Sequence, residues 1–158
     1  MNKVAVFPGT FDPFTNGHLD IVKRGLLLFD KIIIGIGINS SKQSMFSLDQ
    51  RMFSIGKVFR DAPEVSVEQY QGLTVDFCNQ AGAKFLLRGL RNSVDFEFEK
   101  TISQMNRRVH HNIETVFIMT APEFAAINST IIREIIKNGG DASEFVPEGI
   151  SLSADSTD

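Results

Sequence analysis

Short runs of Val, Ile, Leu and Phe alternate along the chain with longer stretches in which apolar positions recur three and four residues apart. The runs predict five strands, at Lys3 to Phe7, Lys31 to Ile38, Val65 to Tyr70, Lys84 to Leu87 and Thr115 to Met119. Together they are mostly Val, Ile, Leu or Phe, as expected of a parallel sheet covered on both faces. The helical period predicts helices over Gly17 to Leu28, Leu48 to Phe59, Leu73 to Ala81, Val94 to Arg108 and Ser129 to Lys137. Ser47-Leu48-Asp49-Gln50 has the form of a capping box, and Gly82 and Gly139-Gly140 supply left-handed stops just past helix ends. This alternation predicts a single-domain α/β architecture over residues 1–150, a doubly wound five-stranded parallel sheet, followed by a polar tail over 151–158. Ligands of such sheets lie beyond the carboxyl ends of the strands, where the strand order reverses. The loops at 8–16, 39–46, 71–72, 88–93 and 120–128 therefore carry the candidate chemistry.

Composition narrows the partners. The 158 residues are 42% hydrophobic and 22% charged, enough apolar material for one core. The longest apolar stretch, Ile32 to Ile38, falls far short of the ~20 residues that cross a bilayer, so no membrane partner is expected. A net charge of -3 gives no general basic field for a nucleic acid; a phosphate ligand has to be small and locally gripped. The single cysteine, Cys78, forms no disulfide within the chain, and the N-terminal apolar run is too short for a signal peptide. The expectation is the cytoplasm, and with it the Asn128-Ser129-Thr130 sequon is set aside. His110-His111 with Glu114 lacks a third ligand at useful spacing, so no protein-held metal is expected.

The first strand runs into Pro8-Gly9-Thr10-Phe11-Asp12-Pro13-Phe14-Thr15-Asn16-Gly17-His18, which has neither Walker nor GxGxxG spacing. Gly9 lets backbone approach a ligand, Thr10 offers a hydroxyl and an N–H, and His18 falls at the positive end of the next helix. Thr15 and His18, three apart, share one face if the helix starts at Thr15. The plainer reading of the same residues is a helix cap followed by a first-turn surface histidine. Lys42, just past the second strand, places a flexible ammonium over the sheet end. Arg88 and Arg91, beside the fourth strand, offer two guanidinium forks that either clamp phosphate or pair with Asp95 and Glu97. Asp95 and Glu99 are like charges one helical turn apart, which makes either a solvated acidic face or a pair compensated by a ligand or Arg91. Ser129 and Thr130 stand at the N-terminus of the last helix, with Arg133 one turn on.

Thr15-Asn16-Gly17-His18 resembles the T/HxGH signature of the nucleotidyltransferase superfamily. With Gly9-Thr10-Phe11-Asp12-Pro13, Ser41-Lys42, Arg88-Gly89-Leu90-Arg91, Asp95-Phe96-Glu97-Phe98-Glu99 and Asn128-Ser129-Thr130-Ile131-Ile132-Arg133-Glu134, nearly the whole chain is similar to the phosphopantetheine adenylyltransferases. That resemblance implies a Rossmann-like nucleotidyltransferase fold and the transfer of AMP from ATP to 4'-phosphopantetheine, giving 3'-dephospho-coenzyme A and pyrophosphate. It makes His18 catalytic, and gives the acceptor Thr10, Lys42, Thr74 and Arg88. For ATP it implies Thr10, Phe11, His18, Gly89, Leu90, Arg91 and Glu99, then Phe124, Ala125, Ala126, Ile127, Asn128, Ser129 and Thr130. It further implies Mg²⁺ as cofactor, feedback by coenzyme A and a homohexamer. Asn128 and Thr74 stand where the family usually has serine and leucine. The rival readings are another small nucleotidyltransferase, of nicotinamide mononucleotide or glycerol phosphate type, and a catalytically silent nucleotide or coenzyme A sensor.

Overall fold

The computed structural model describes residues 2–153. Its elements alternate as β1 (Val4–Gly9), α1 (Asn16–Gly25), β2 (Lys31–Gly37), α2 (Leu48–Val58), β3 (Val65–Tyr70), α3 (Thr74–Gln80), β4 (Phe85–Leu90), α4 (Ser93–Val109), β5 (Glu114–Met119) and α5 (Ser129–Lys137). Single 3₁₀ turns follow at Pro122–Phe124 and Ser143–Phe145. The strands form one parallel sheet in the order β3-β2-β1-β4-β5. The fold is α/β and Rossmann-like, with its switch point between β1 and β4.

Alternation along the central strands divides the core in two. Ala5, Phe7, Ile32, Ile34, Ile36 and Leu87 face α1 and α2, packing with Ile21, Val22 and Ile55. Their neighbours in sequence, Val6, Ile33 and Leu86, face the other way, against Val75, Phe77 and Cys78 of α3. Both sets are apolar because both faces are covered, which is why these strands read as runs rather than as alternating patterns. Gly25, the last residue of α1, lets that helix settle onto the sheet: a Cβ there would stand 2.8 Å from side-chain carbons of both Ile32 and Leu87.

The expected elements all form, with shifts at their ends. The first helix ends at Gly25 rather than Leu28; residues beyond it form a turn that leaves Leu27 84% exposed, so an apolar residue in the right phase was not a buried one. β1 continues through Pro8 to Gly9, and β4 continues through Arg88 and Gly89 to Leu90. Arg88 therefore sits inside a strand and not in the loop after it. Gly82 and Gly139 take the left-handed conformation expected of them, at φ 67° and 77°. Ser47 caps α2 by accepting from the Gln50 N–H, while the Gln50 side-chain amide donates to the Ser153 carbonyl at 2.6 Å and so leaves the capping box half made. The polar tail expected over 151–158 falls mostly outside the described residues.

The close seat of α1 gives a direct test. Gly25→Val should destabilise the fold by about 1–3 kcal/mol through overpacking against Ile32 and Leu87, read as a lower urea midpoint with an unchanged slope.

Candidate active site

β1 pairs with β2 over six positions but with β4 only at Ala5↔Phe85 and Val6↔Leu86. Beyond these the two strands part, and a cleft of about 470 Å³ opens at the carboxyl end of the sheet. Pro8 has no N–H to continue a ladder, and its carbonyl accepts instead from Arg88 Nη1 at 2.8 Å. The switch point is thus held open by a side chain crossing the gap.

Thr15 and His18 both shape the cleft, though not side by side as ligands. Thr15 is buried and is the N-cap of α1; its hydroxyl accepts from the His18 N–H, and its own N–H donates to His18 Nδ1 at 3.0 Å. The histidine occupies the place of Glu or Gln in a capping box. Helix cap and site residue are therefore one arrangement. With Nδ1 accepting, the neutral ring carries its proton on Nε2. Phe11 meets the imidazole edge-on with ring centres 5.0 Å apart, and Phe14 and Phe7 lie at 5.3 and 6.1 Å. Burial, and then the charges of Arg88 and Arg91, lower the His18 pKa from 6.5 to about 3. The ring is a neutral hydrogen-bond donor throughout the physiological range.

Gly9 lines the cleft, and its missing side chain also makes room within the first loop. The space where its Cβ would be is filled by the Phe11 ring, 2.9 Å away at the nearest atom, and Phe11 itself takes a positive φ of 50°. The glycine thus makes room for the ring that packs on His18. Asp12 is buried and accepts from the Met45 and Phe46 N–H groups, both at 2.9 Å, tying the 39–46 loop to the first loop. Arg51 strengthens that tie by donating to the Thr10 carbonyl at 2.6 Å and the Phe46 carbonyl at 3.1 Å; burial lowers its pKa, against the raising effect of Asp12. Arg133 donates to the Asp12 carbonyl at 2.8 Å. Arg51 does not stand out in sequence, because the Thr10 carbonyl it holds lies 41 positions away.

The arginines are paired from α4. Arg88 donates through Nε (2.8 Å) and Nη2 to the two carboxylate oxygens of Glu99. Arg91 donates through its backbone N–H, Nε and Nη2 to Asp95 at 2.9 to 3.3 Å. Burial raises the Asp95 pKa, but the Arg91 hydrogen bonds and charge outweigh it and the net shift is downward. Glu97, the other pairing read from sequence, faces out and bonds Lys100 instead. The like charges at 95 and 99 are thus each compensated by an arginine.

Of the residues singled out in the sequence, Thr10, Phe11, His18, Lys42, Arg88, Gly89, Arg91, Glu99, Ile127, Asn128, Ser129 and Thr130 line this cleft. Leu90 is buried and turned into the fold. Phe124, Ala125 and Ala126 lie in the segment before α5 and do not line it, although Phe124 approaches Gly17. Asn128 caps α5 by accepting from the Ile131 N–H at 2.9 Å, while the Ser129 hydroxyl donates to the Pro13 carbonyl at 2.8 Å. Asn128 in place of serine keeps the cap intact. Thr74 lines a second, smaller cavity of about 160 Å³ with Tyr70, Ile102 and Asn106, its hydroxyl 2.8 Å from that of Tyr70. Arg88 and Glu99 border both spaces.

A family model described as cytidylyltransferase-like matches residues 6–135. A phosphopantetheine adenylyltransferase of Flavobacterium psychrophilum is 55% identical over 148 residues, covering 94% of this chain and 97% of the relative. The enzymes of that name from Cytophaga hutchinsonii and Bacteroides fragilis are 50% and 45% identical, over 93% and 94% of this chain and 98% of each relative. A crystal structure of a bifunctional NMN adenylyltransferase/ADP ribose pyrophosphatase from Francisella tularensis matches 92% of this chain with a TM-score of 0.70 at 21% identity. This chain spans 45% of that protein's length, and the likeness is one of fold.

The histidine's low pKa has a measurable consequence. The unfolded chain takes up this proton near pH 6.5 and the folded chain only near 3, so His18 makes stability rise with pH across that window, with its full contribution present above it. His18→Gln, which can still complete the capping box, should flatten the dependence of the urea midpoint on pH between about 4 and 6.5.

Proposed function

The chain belongs to the phosphopantetheine adenylyltransferase family, within the cytidylyltransferase-like group, and on that premise we propose that it transfers AMP from ATP to 4'-phosphopantetheine. The products are 3'-dephospho-coenzyme A and pyrophosphate, a step of coenzyme A biosynthesis. One observation carries the reading at the level of chemistry: the imidazole facing the cleft is a neutral donor and not a base. His18 Nδ1 is already engaged by Thr15 and its pKa is far below neutrality. A phosphate acceptor suits such a site, because it is ionised before it arrives and needs no proton removed.

The acceptor oxygen attacks the α-phosphorus in line while the bond to pyrophosphate breaks. Charge builds on the α-phosphate oxygens, and the Nε2–H of His18 donates to them without changing protonation state. Arg88, Lys42 and the backbone and hydroxyl of Thr10 hold the acceptor phosphate; Arg91 and the N-terminus of α5 at Ser129 and Thr130 hold the β and γ phosphates. Most of the rate gain comes from aligning two anions that repel each other in water. The smaller cavity beside Arg88, lined by Thr74, Tyr70 and Asn106, suits the uncharged pantetheine arm. Coenzyme A carries the same arm and an adenine nucleotide, which supports competition at this site and so feedback by the pathway's end product.

Magnesium enters this reading as part of the substrate, MgATP. Among the described residues no three His, Cys, Asp or Glu side chains cluster as a metal site. The two carboxylates lining the cleft beside the arginines, Asp95 and Glu99, are each engaged by an arginine. Mg²⁺ needs only one or two carboxylates beside the substrate's phosphates and its own waters, so the ion belongs to this proposal as one carried in with ATP. The cytoplasm is the compartment that fits a soluble biosynthetic family, and no helix among the described residues is long and apolar enough to cross a membrane.

Assembly belongs to the same proposal. Val94, Phe98, Ile102, Met105 and Val109 recur three and four apart on α4 and are 76%, 67%, 37%, 55% and 53% exposed. Such a stripe on a 17-residue helix is the seam expected of a helix that packs on another copy, in support of the homohexamer.

Three measurements test these statements. Purified protein with Mg²⁺ and either ATP or CTP should release pyrophosphate with 4'-phosphopantetheine and ATP only. Release with nicotinamide mononucleotide or glycerol 3-phosphate instead would overturn the acceptor, and binding of ATP without any release would favour a sensor. In the active protein His18→Ala should lower kcat by about two orders of magnitude or more with little change in KM for ATP. In sedimentation, Phe98→Asp should shift a hexameric species to a smaller one; an unchanged mass would remove α4 from the seam.

A further inference from the structure

The only buried residue of α4 is a glutamate, Glu99. A charged side chain is seldom buried unless paired, and here both carboxylate oxygens are given to Arg88. One turn earlier on the same helix, Asp95 gives both of its oxygens to Arg91. The two carboxylates are four apart, on one face of α4; the two arginines are three apart, at the end of β4. A single helix thus aims both guanidinium groups.

We propose that Glu99 and Asp95 are positioning residues with separate clients: Glu99 sets Arg88 for the acceptor phosphate, and Asp95 sets Arg91 for the triphosphate. This deepens the reading of the site as an adenylyltransferase and rests on it. It also moves Glu99 from a nucleotide contact, the role its resemblance implies, to the acceptor side. Donor counting supports the move. Of the five N–H groups of a guanidinium, Arg88 spends one each on the two Glu99 oxygens and one on Pro8, which leaves two for a bidentate grip on phosphate. Glu99 turns both of its oxygens to Arg88 and is only 9% exposed, which commits it to that side chain. Arg91 spends two guanidinium N–H groups on Asp95 and retains three, pointing to the larger share of phosphate oxygens. Arginines fixed before substrate arrives lose less rotamer freedom on binding it.

The experiment compares wild type, Glu99→Gln and Asp95→Asn by steady-state kinetics in both substrates. Calorimetric titration of ATP and of 4'-phosphopantetheine, each alone, accompanies it, with melting temperatures recorded as a control on folding. Gln and Asn keep the size of the acids but lose the charge and set an NH2 donor where the second acceptor oxygen faced the guanidinium. Glu99→Gln should raise KM and Kd for 4'-phosphopantetheine by about tenfold or more and leave ATP within about twofold; Asp95→Asn should do the reverse. If Glu99→Gln fails to fold, Glu99→Asp, which keeps the charge and withdraws it by one methylene, should show the same acceptor-side bias. A loss of ATP affinity in the Glu99 variants, or equal losses for both substrates, overturns the inference. Failure of the underlying reading looks different: wild type itself then turns over no 4'-phosphopantetheine, whatever the variants do.

Discussion

Everything at the carboxyl end of this sheet depends on what replaces the ladder where β1 and β4 separate. After Val6 and Leu86 the strands no longer pair, and a buried carbonyl without a partner costs about 1–3 kcal/mol. The Arg88 guanidinium answers that need at Pro8 and in doing so becomes fixed at the switch point. Its charge then has to be balanced, which Glu99 does from α4. One backbone interruption therefore accounts for a cleft, a cation beside it and a buried acid on a helix whose other residues stay at least partly exposed. Arg88 also adds to the lowering of the His18 pKa, after burial, as the leading charge acting on that ring.

The floor of the cleft is built by the same economy of backbone groups. The first loop offers carbonyls at Thr10, Asp12 and Pro13, and each receives a donor from one of two helices: Arg51 of α2, and Arg133 and the Ser129 hydroxyl of α5. Asp12 returns two acceptors to the 39–46 loop. Three segments far apart in sequence are thereby locked into one surface, with Lys42 lining the cleft beside them. Arginines fixed by acids and a lysine on a long stem suit a site that must hold one anion while admitting another.

The strands and helices were legible because burial on both faces of a parallel sheet writes apolar runs, and α1, α2 and α5 write a periodic stripe. The ends were less so. An arginine and a glycine closing a strand look like loop, yet β4 runs through Arg88 and Gly89. Gly89 is needed there because a Cβ would stand 2.9 Å from Ile21 of α1, a reason visible only once the helix is in place. The site was legible where spacing along the chain equals proximity in space, as in Thr15 and His18 or Arg91 and Asp95. It was not where long-range contacts decide: Arg51 with Thr10 and Asp12 with Phe46 have no periodic signature. The apolar positions of α4 had the expected period, but periodicity does not distinguish a stripe facing the core from one facing another chain.

The threonine-to-histidine spacing at the first helix shows why one motif can be both structural and chemical. A capping box needs, three residues into the helix, an acceptor that reaches back to the cap's N–H. Glutamate would satisfy it and bring a negative charge to a site for anions. Glutamine is neutral, but its acceptor and donor branch from one carbon, so anchoring the oxygen constrains where the N–H groups aim. Imidazole places its two nitrogens on separate edges of a rigid ring. Nδ1 completes the cap, and the cap fixes the tautomer, which leaves Nε2–H turned away from the helix backbone. Phe11 and Phe14 then hold the ring plane, and the same burial that keeps it neutral removes the competing water that would weaken its hydrogen bond to a developing charge. The donor is preorganised by the interactions that start the helix, so folding and the proposed catalysis draw on the same two residues.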